Sequence, residues 1–320
     1  MSVRALVTGG GGFVGQWLAR ALLARGDAVW LAGLEPPAPG GVLTDEERAA
    51  ARWLSVDVRR AEDLERALDD SRPDLVFHLA GLSYVPEAQD APARAWDVNV
   101  LGAVRLLAAI AARRRAGGMD PTVLVVGTAM QYGKHDTTEL PLTESAEQRP
   151  LTVYGSSKAA QETAALQAWR ADGVRVICTR SFNHSGPGHA ASFLLPALVR
   201  RAFDIRRGTE RTLRLGADAV RDYLHVKDVI DAYLLLAERG MAGEAYNVAS
   251  GEGVSARQLA ADVLLRVGAA ADISTDPALL RSADVPVLVG SYAKLHQATG
   301  WTPRRTRGEI IDDLVRSIQS

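Results

Sequence analysis

The chain has 320 residues, 23% of them charged, with a formal net charge of −1 and a single cysteine, Cys178. This length suffices for a large core in one domain or two lobes, the charge balance advertises no nucleic acid or anionic membrane, and one cysteine excludes an internal disulfide and fits a reducing compartment. The first apolar run enters a glycine cluster directly, leaving no room for a leader, and no stretch approaches the roughly 20 apolar residues of a membrane span, so a cytoplasmic protein is expected.

Residues 3–8 are predicted as a strand, and residues 13–25 as a helix with Val14, Leu18, Leu22 and Leu23 on one side. Strands are predicted at 28–34 and 52–56, a helix around 64–68 and a fourth strand at 75–79. A long helix over 93–115 precedes a very apolar strand at 122–127. A further helix runs from Tyr154 toward Arg170, followed by a strand at 174–179. Strand–helix alternation with unbroken Val/Leu strands predicts an α/β fold, a doubly wound parallel (Rossmann) sheet covered on both faces.

Beyond about residue 180 the alternation decays. Gly186-Pro187-Gly188 breaks the chain, and apolar helices follow at 193–203 and 229–239. The expected division is a dinucleotide-binding domain over 1–180, with segments near 220–250 returning to it. Residues 181–320 then form mainly a smaller, discontinuous substrate lobe. The run Pro36-Pro37-Ala38-Pro39-Gly40-Gly41 reads as a surface loop.

Gly10-x-Gly12-x-x-Gly15 lies between a predicted strand and helix, the context that gives this pattern weight. Glycines there allow a tight turn and close approach of a pyrophosphate to backbone, and the helix N-terminus offers free N–H groups. A glycine turn without ligand is the bland alternative. The acid that meets a ribose 2′-hydroxyl in NAD enzymes belongs near Ala32-Gly33-Leu34, where no charge stands. Glu35 lies beyond, placed to reach back or simply to solvate the proline loop. A 2′-phosphate is therefore tolerated, and NADP(H) is preferred with NAD(H) as the alternative. Asp57 reads as an adenine contact or as a turn or N-cap residue.

Tyr154 and Lys158, four apart on a helix, leave from the same face. An ammonium beside a phenol lowers its pKa from about 10, so the pair is suited to moving a proton at an alcohol oxygen. Alone, the spacing also suits a solvated helix surface.

With the Gly9-x-x-Gly12-x-x-Gly15 loop, Thr128 and Tyr154-x-x-x-Lys158, the chain resembles the extended short-chain dehydrogenase/reductases over essentially its whole length. The resemblance implies a cofactor held by Gly9, Gly12, Phe13, Val14, Gly15, Asp57, Val58, Leu79, Ala80, Gly81, Asn99, Tyr154 and Lys158. His78, just before Leu79, reads as a strand-end histidine with a satisfied hydrogen bond. The segments Arg180–Gly188, Arg221–Val229, Tyr246–Gly251 and Arg281–Pro286 resemble the nucleotide-sugar branch, most of all its GDP-4-keto-6-deoxy-mannose reductases, with GDP-mannose 4,6-dehydratases as near relatives. The implied catalytic residues are Thr128, Tyr154 and Lys158. Those implied for the nucleotide-sugar substrate are Ser83, Thr128, Asn183, Arg221, Arg281 and Asp284. His184 would line the sugar site or brace the Gly186-Pro187 turn. Single residues of these sets also have ordinary structural uses: a capping hydroxyl for Thr128, surface salt bridges for the arginines.

Dehydratases of this kind carry an acid, notably a Glu two residues after the Ser/Thr, to remove the sugar C5 proton. Here Ala129 and Met130 follow Thr128, and neither moves a proton. A C4-ketone reductase is therefore expected, with a nucleotide-sugar 4-epimerase holding tightly bound NAD as the competitor and a non-catalytic dinucleotide-binding sensor or scaffold more remote. No His/Cys/Asp/Glu set has metal spacing. The resemblance also implies a homodimer formed through the two long helices.

Overall fold

The structure, a computed structural model, describes residues 2–279 and 285–319. The short apolar runs of the first half become strands, and each amphipathic stretch between them folds back as a helix. In chain order these are β1 (Arg4–Thr8), α1 (Phe13–Ala24), β2 (Ala28–Gly33), α2 (Asp45–Ala50), β3 (Arg52–Ser55), α3 (Ala61–Ser71) and β4 (Leu75–His78). There follow α4 (Val85–Asp90), α5 (Pro92–Trp96), a π turn (Asp97–Leu101), α6 (Gly102–Arg115), β5 (Thr122–Thr128), α7 (Val153–Asp172) and β6 (Val176–Ser181).

The second half contributes β7 (Asn183–Ser185), α8 (Leu194–Arg206), β8 (Thr212–Leu215), β9 (Val220–His225), α9 (Val226–Arg239) and β10 (Ala245–Val248). It ends with β11 (Gly253–Ser255), α10 (Ala256–Val267), β12 (Asp272–Thr275), β13 (Val287–Leu288), α11 (Ala293–Thr299) and α12 (Arg307–Gln319). Seven strands form one parallel sheet in the order β10-β6-β5-β4-β1-β2-β3. Strand order reverses between β1 and β4, where such sheets open a ligand crevice at the carboxyl ends of their strands. The doubly wound sheet expected from the strand–helix alternation is present.

One sheet face is covered by α1 and α9, which bury Leu18, Leu22, Val229, Tyr233 and Leu236 together with Trp301. The other is covered by α3, α6 and α7, through Leu64, Leu68, Leu106, Ile110 and Ala165. A separate core under α8, α10 and α12 carries the second half, with the short pairings β7–β9, β9–β11, β9–β13 and β8–β12 around it.

The expected long helix is continuous from α5 to α6 but is interrupted by the π turn. Contrary to the sequence expectation, this run of 24 residues is apolar and long enough to cross a membrane by length and composition. Its alanine-rich faces instead pack on α3 and α7, and 56% of its most apolar window is buried in the protein.

Candidate active site

A continuous cleft of about 1690 Å³ runs along the carboxyl ends of the strands, from Gly33 and Asp57 at one extreme to Arg201 and Leu215 at the other. Gly9, Gly12, Phe13, Val14 and Gly15 form part of its floor. Gly9 takes φ +73°, a left-handed value that favours glycine. A Cβ on it would lie 2.8 Å from the Ala80 nitrogen, and one on Gly15 would lie 2.5 Å from the Gly9 carbonyl oxygen. The loop is thus closed to side chains, and backbone faces the cleft. Gly12 caps α1 with no side-chain bond, and no acid occupies the first turn, so the helix N-terminus is open to an anion. These features fit a dinucleotide pyrophosphate.

Tyr154 reaches the cleft because α7 begins beside the end of β5. The Thr152 hydroxyl caps the helix by accepting from the Gly155 N–H at 3.0 Å. Gly155 lets that first turn press on the 129–131 turn, since a Cβ there would stand 2.7 Å from the Met130 carbonyl oxygen. Thr128, the last residue of β5, lines the same cleft as Tyr154. Thr128 Oγ1 accepts from the Met130 N–H at 3.3 Å, so the capping role and the place in the cleft coexist.

Lys158 follows one turn later, buried, with Nζ donating to the Val126 carbonyl and to Gln161 Oε1, both at 2.7 Å. The expected lowering of the phenol by this ammonium is not what the structure gives. Burial pushes the Tyr154 pKa up to about 12, partly opposed by Thr128, while burial pushes Lys158 down to about 7. The ammonium is turned to Val126 and Gln161, and desolvation outweighs any help it gives to phenolate. Tyr154 therefore carries its proton throughout the neutral range.

The other expected cofactor residues Asp57, Val58, Leu79, Ala80 and Gly81 line the cleft. The Asp57 carboxylate is held by Arg59, from its backbone N–H at 3.0 Å and Nε at 2.9 Å. Asn99 does not line the cleft. The π turn directs its amide inward, where Oδ1 accepts from the Leu82 N–H at 2.7 Å and Nδ2 donates to Ser157 Oγ at 2.9 Å. His78 meets Thr8 Oγ1 at 2.8 Å through Nδ1, but its buried Nε2 has no partner, so it is only half satisfied.

Of the expected substrate residues, Ser83, Asn183 and Arg221 line the cleft with Thr128. Arg281 and Asp284 lie outside the described residues. His184 lines the cleft and also meets the Phe182 carbonyl at 2.9 Å. The cleft-lining carboxylates among the described residues are Glu35, Asp57 and Asp90, while Ala129 is buried and Met130 lines the wall beside Thr128. No group of three or more His, Cys, Asp or Glu residues suited to a metal occurs among the described residues.

An aromatic stack went unnoticed in the sequence. His189 lies face to face with Phe13 at 4.6 Å and against Phe193 at 4.4 Å. Trp17 Nε1 donates to the Pro187 carbonyl at 2.9 Å nearby. Phe13 and Trp17 lie more than 165 positions before His189 and Pro187 and share no periodicity with them, so only the fold brings them together.

A family model for GDP-mannose 4,6 dehydratase matches residues 6–314. GDP-6-deoxy-D-mannose reductase of Pseudomonas aeruginosa is 36% identical over 322 aligned positions, covering 100% of this chain and 97% of that protein. The structure of RMD from Pseudomonas aeruginosa complexed with NADPH superposes with a TM-score of 0.82 at 32% identity, covering 100% of both chains. The UDP-glucose 4-epimerase of Thermus thermophilus in complex with NAD gives a TM-score of 0.85 at 29% identity, covering 99% of both. The glycine loop, the Thr128–Tyr154–Lys158 cluster and these full-length similarities lead to one conclusion: the chain belongs to the GDP-mannose 4,6-dehydratase family, in the nucleotide-sugar branch of the extended short-chain dehydrogenase/reductases.

Proposed function

We propose that this protein is an NADPH-preferring reductase of the C4 ketone of a GDP-linked 4-keto-6-deoxy hexose. The observation that carries the reading is the oxygen site itself: Thr128, Tyr154 and Lys158 line one cleft with the glycine loop while Ala129 and Met130 follow Thr128 where a dehydratase needs an acid. NADPH, when bound, supplies the hydride. The Gly9–Gly15 loop and the open N-terminus of α1 hold its pyrophosphate. Leu34, 64% exposed, stands just beyond β2 where NAD enzymes carry their acid; Glu35, the next residue, lines the cleft, and NAD(H) is the second choice.

Thr128 donates to the carbonyl oxygen and steadies the negative charge that develops on it. Tyr154, protonated at neutral pH, gives its proton to that oxygen. Lys158, which donates to the Val126 carbonyl and Gln161 in this structure, also lines the cleft and would bond the nicotinamide ribose once the cofactor binds. Asn183 and Arg221, with Arg281, take the substrate diphosphate, where an arginine fork matches phosphate oxygens. Ser83 faces the sugar and Asp284 the nucleoside ribose. We assign residues 1–180, with 220–250 returning, to the cofactor side and the rest mainly to the substrate side. Exposed Trp96, Leu101, Val104 and Trp169 on the α5–α6 run and α7 support a homodimer through these helices. A cytoplasmic location goes with this function.

Anaerobic incubation with NADPH and a panel of GDP-, dTDP-, UDP- and CDP-4-keto-6-deoxy sugars tests the reading by absorbance loss and product stereochemistry. Stoichiometric NADPH consumption with the GDP sugar is expected. Tyr154→Phe should lower kcat by about 10²- to 10⁴-fold. Protein that purifies with stoichiometric NAD+ and turns over UDP-hexoses without added cofactor would make it a 4-epimerase instead.

A further inference from the structure

We infer that Gln131 is a positioning residue that fixes Thr128 against the helix carrying Tyr154 and Lys158, acting through the buried carboxylate of Glu162. Gln131 is fully buried. Its Oε1 accepts from the Thr128 N–H at 2.8 Å, and its Nε2 donates to Glu162 Oε2 at 2.8 Å and, at 3.3 Å, to Gln148 Oε1. Glu162 lies on α7 one turn after Lys158. Its two oxygens also accept from Arg180 Nε at 3.0 Å, Arg180 Nη2 at 2.7 Å and Gln148 Nε2 at 2.7 Å.

Arg180 comes from β6, the neighbour of β5, where it pairs in register with Gly127. Its remaining nitrogen donates to Tyr132 Oη at 3.0 Å and to the Glu144 carbonyl at 2.9 Å, and its guanidinium stacks over the Tyr132 ring at 5.0 Å. The carboxylate is therefore held on all sides, and the amide of Gln131 transmits that fixed point to the end of β5. Gly127 belongs to the same device, because a Cβ there would lie 2.3 Å from Gln131 Oε1.

An amide suits this place because it offers an acceptor to one side and a donor to the other. Without it the Thr128 N–H is left buried and unpaired, and the hydroxyl loses its fixed place in the cleft. A displacement of about 1 Å at a reacting centre costs up to about 100-fold in rate.

The inference rests on the oxygen-site reading, and three variants separate the two. Gln131→Met keeps the volume and loses all three bonds. We expect kcat to fall by about 10- to 100-fold, with KM for the sugar nucleotide and NADPH affinity by fluorescence titration within about twofold. Gln131→Glu places a second carboxylate against Glu162, and two such groups share one proton. Its kcat should recover toward wild type as pH falls and collapse as pH rises, a profile absent from the wild type. Gln148→Met removes a Glu162 donor and the long 3.3 Å acceptor of Gln131 Nε2 but leaves Gln131 bonded to both Thr128 and Glu162, and kcat should stay within about twofold.

If Gln131→Met is as active as wild type, or Gln148→Met loses as much kcat as Gln131→Met, or Gln131→Glu shows no pH recovery, the positioning role is wrong. Thr128→Ala, run alongside, distinguishes the failures. A fully active Thr128→Ala overturns the oxygen-site reading, whereas an impaired Thr128→Ala beside an active Gln131→Met overturns this inference alone.

Discussion

Tyr154 and Lys158 divide the acid–base work by burial rather than by mutual attraction. The phenol, pushed up to about 12, stays in the form that can donate, and the ammonium, pushed down to about 7, titrates in the physiological range. The chain has four lysines, so selective isotope labelling of lysine side chains gives a readable NMR spectrum. In the cofactor-free protein one lysine resonance should titrate near pH 7 and be missing in Lys158→Met. The folded chain releases this proton near 7, while the unfolded chain holds it to about 10.4. Between these values the unfolded state binds the extra proton, so Lys158 makes stability rise with pH through that window. Urea midpoints measured across it should rise less for Lys158→Met. The tyrosine–lysine spacing was legible because it is local on one helix; the direction of the phenol shift was not, because it depends on where Nζ points and how much water is excluded. Gln131 was invisible as a contributor for a related reason: its partner Glu162 lies 31 positions away.

The elements of the cofactor side were legible because each is a run of one kind. Parallel strands buried on both faces read as unbroken Val/Leu stretches, and predicted and observed strands agree to within a residue or two at most ends. Three features escaped. The polar helix α2 has no buried residue and hence no apolar stripe to mark it. The strands β7, β11 and β13 have only two or three residues, too few for any period. The π turn inserts one extra residue into a helix whose composition does not change, and it rotates Asn99 away from the cleft into hydrogen bonds with Leu82 and Ser157. Between elements, the Arg180–Glu162 pair links β6 to α7, with side chains 8% and 4% exposed. Arg180→Met leaves the Glu162 charge buried with only amide donors. A destabilisation of about 3–5 kcal/mol in urea unfolding at neutral pH is expected, the cost typical of halving a buried pair.

At the scale of the whole molecule, the two sides are clasped across the cleft. The Phe13–His189–Phe193 stack and the Trp17–Pro187 hydrogen bond join the start of α1 to the segment that follows β7. These ties lie next to the glycine loop, so the loop is held in shape by residues from the far half of the sequence. The position of β10 carries this interdependence further. β6 finds its second neighbour only at Ala245–Val248, and the face bearing Phe77, Leu124 and Ile177 is covered by α9 and Trp301. A ribosome must therefore deliver most of the chain before the nucleotide-binding sheet has either its last edge or its second coat. Until then β6 offers an open edge to any other strand in reach. A fragment ending at residue 181 contains the glycine loop, Thr128, Tyr154 and Lys158, yet it should aggregate on expression and fail to enhance NADPH fluorescence. The machinery for one half of the reaction is encoded early, but it becomes a folded object only when synthesis is nearly done.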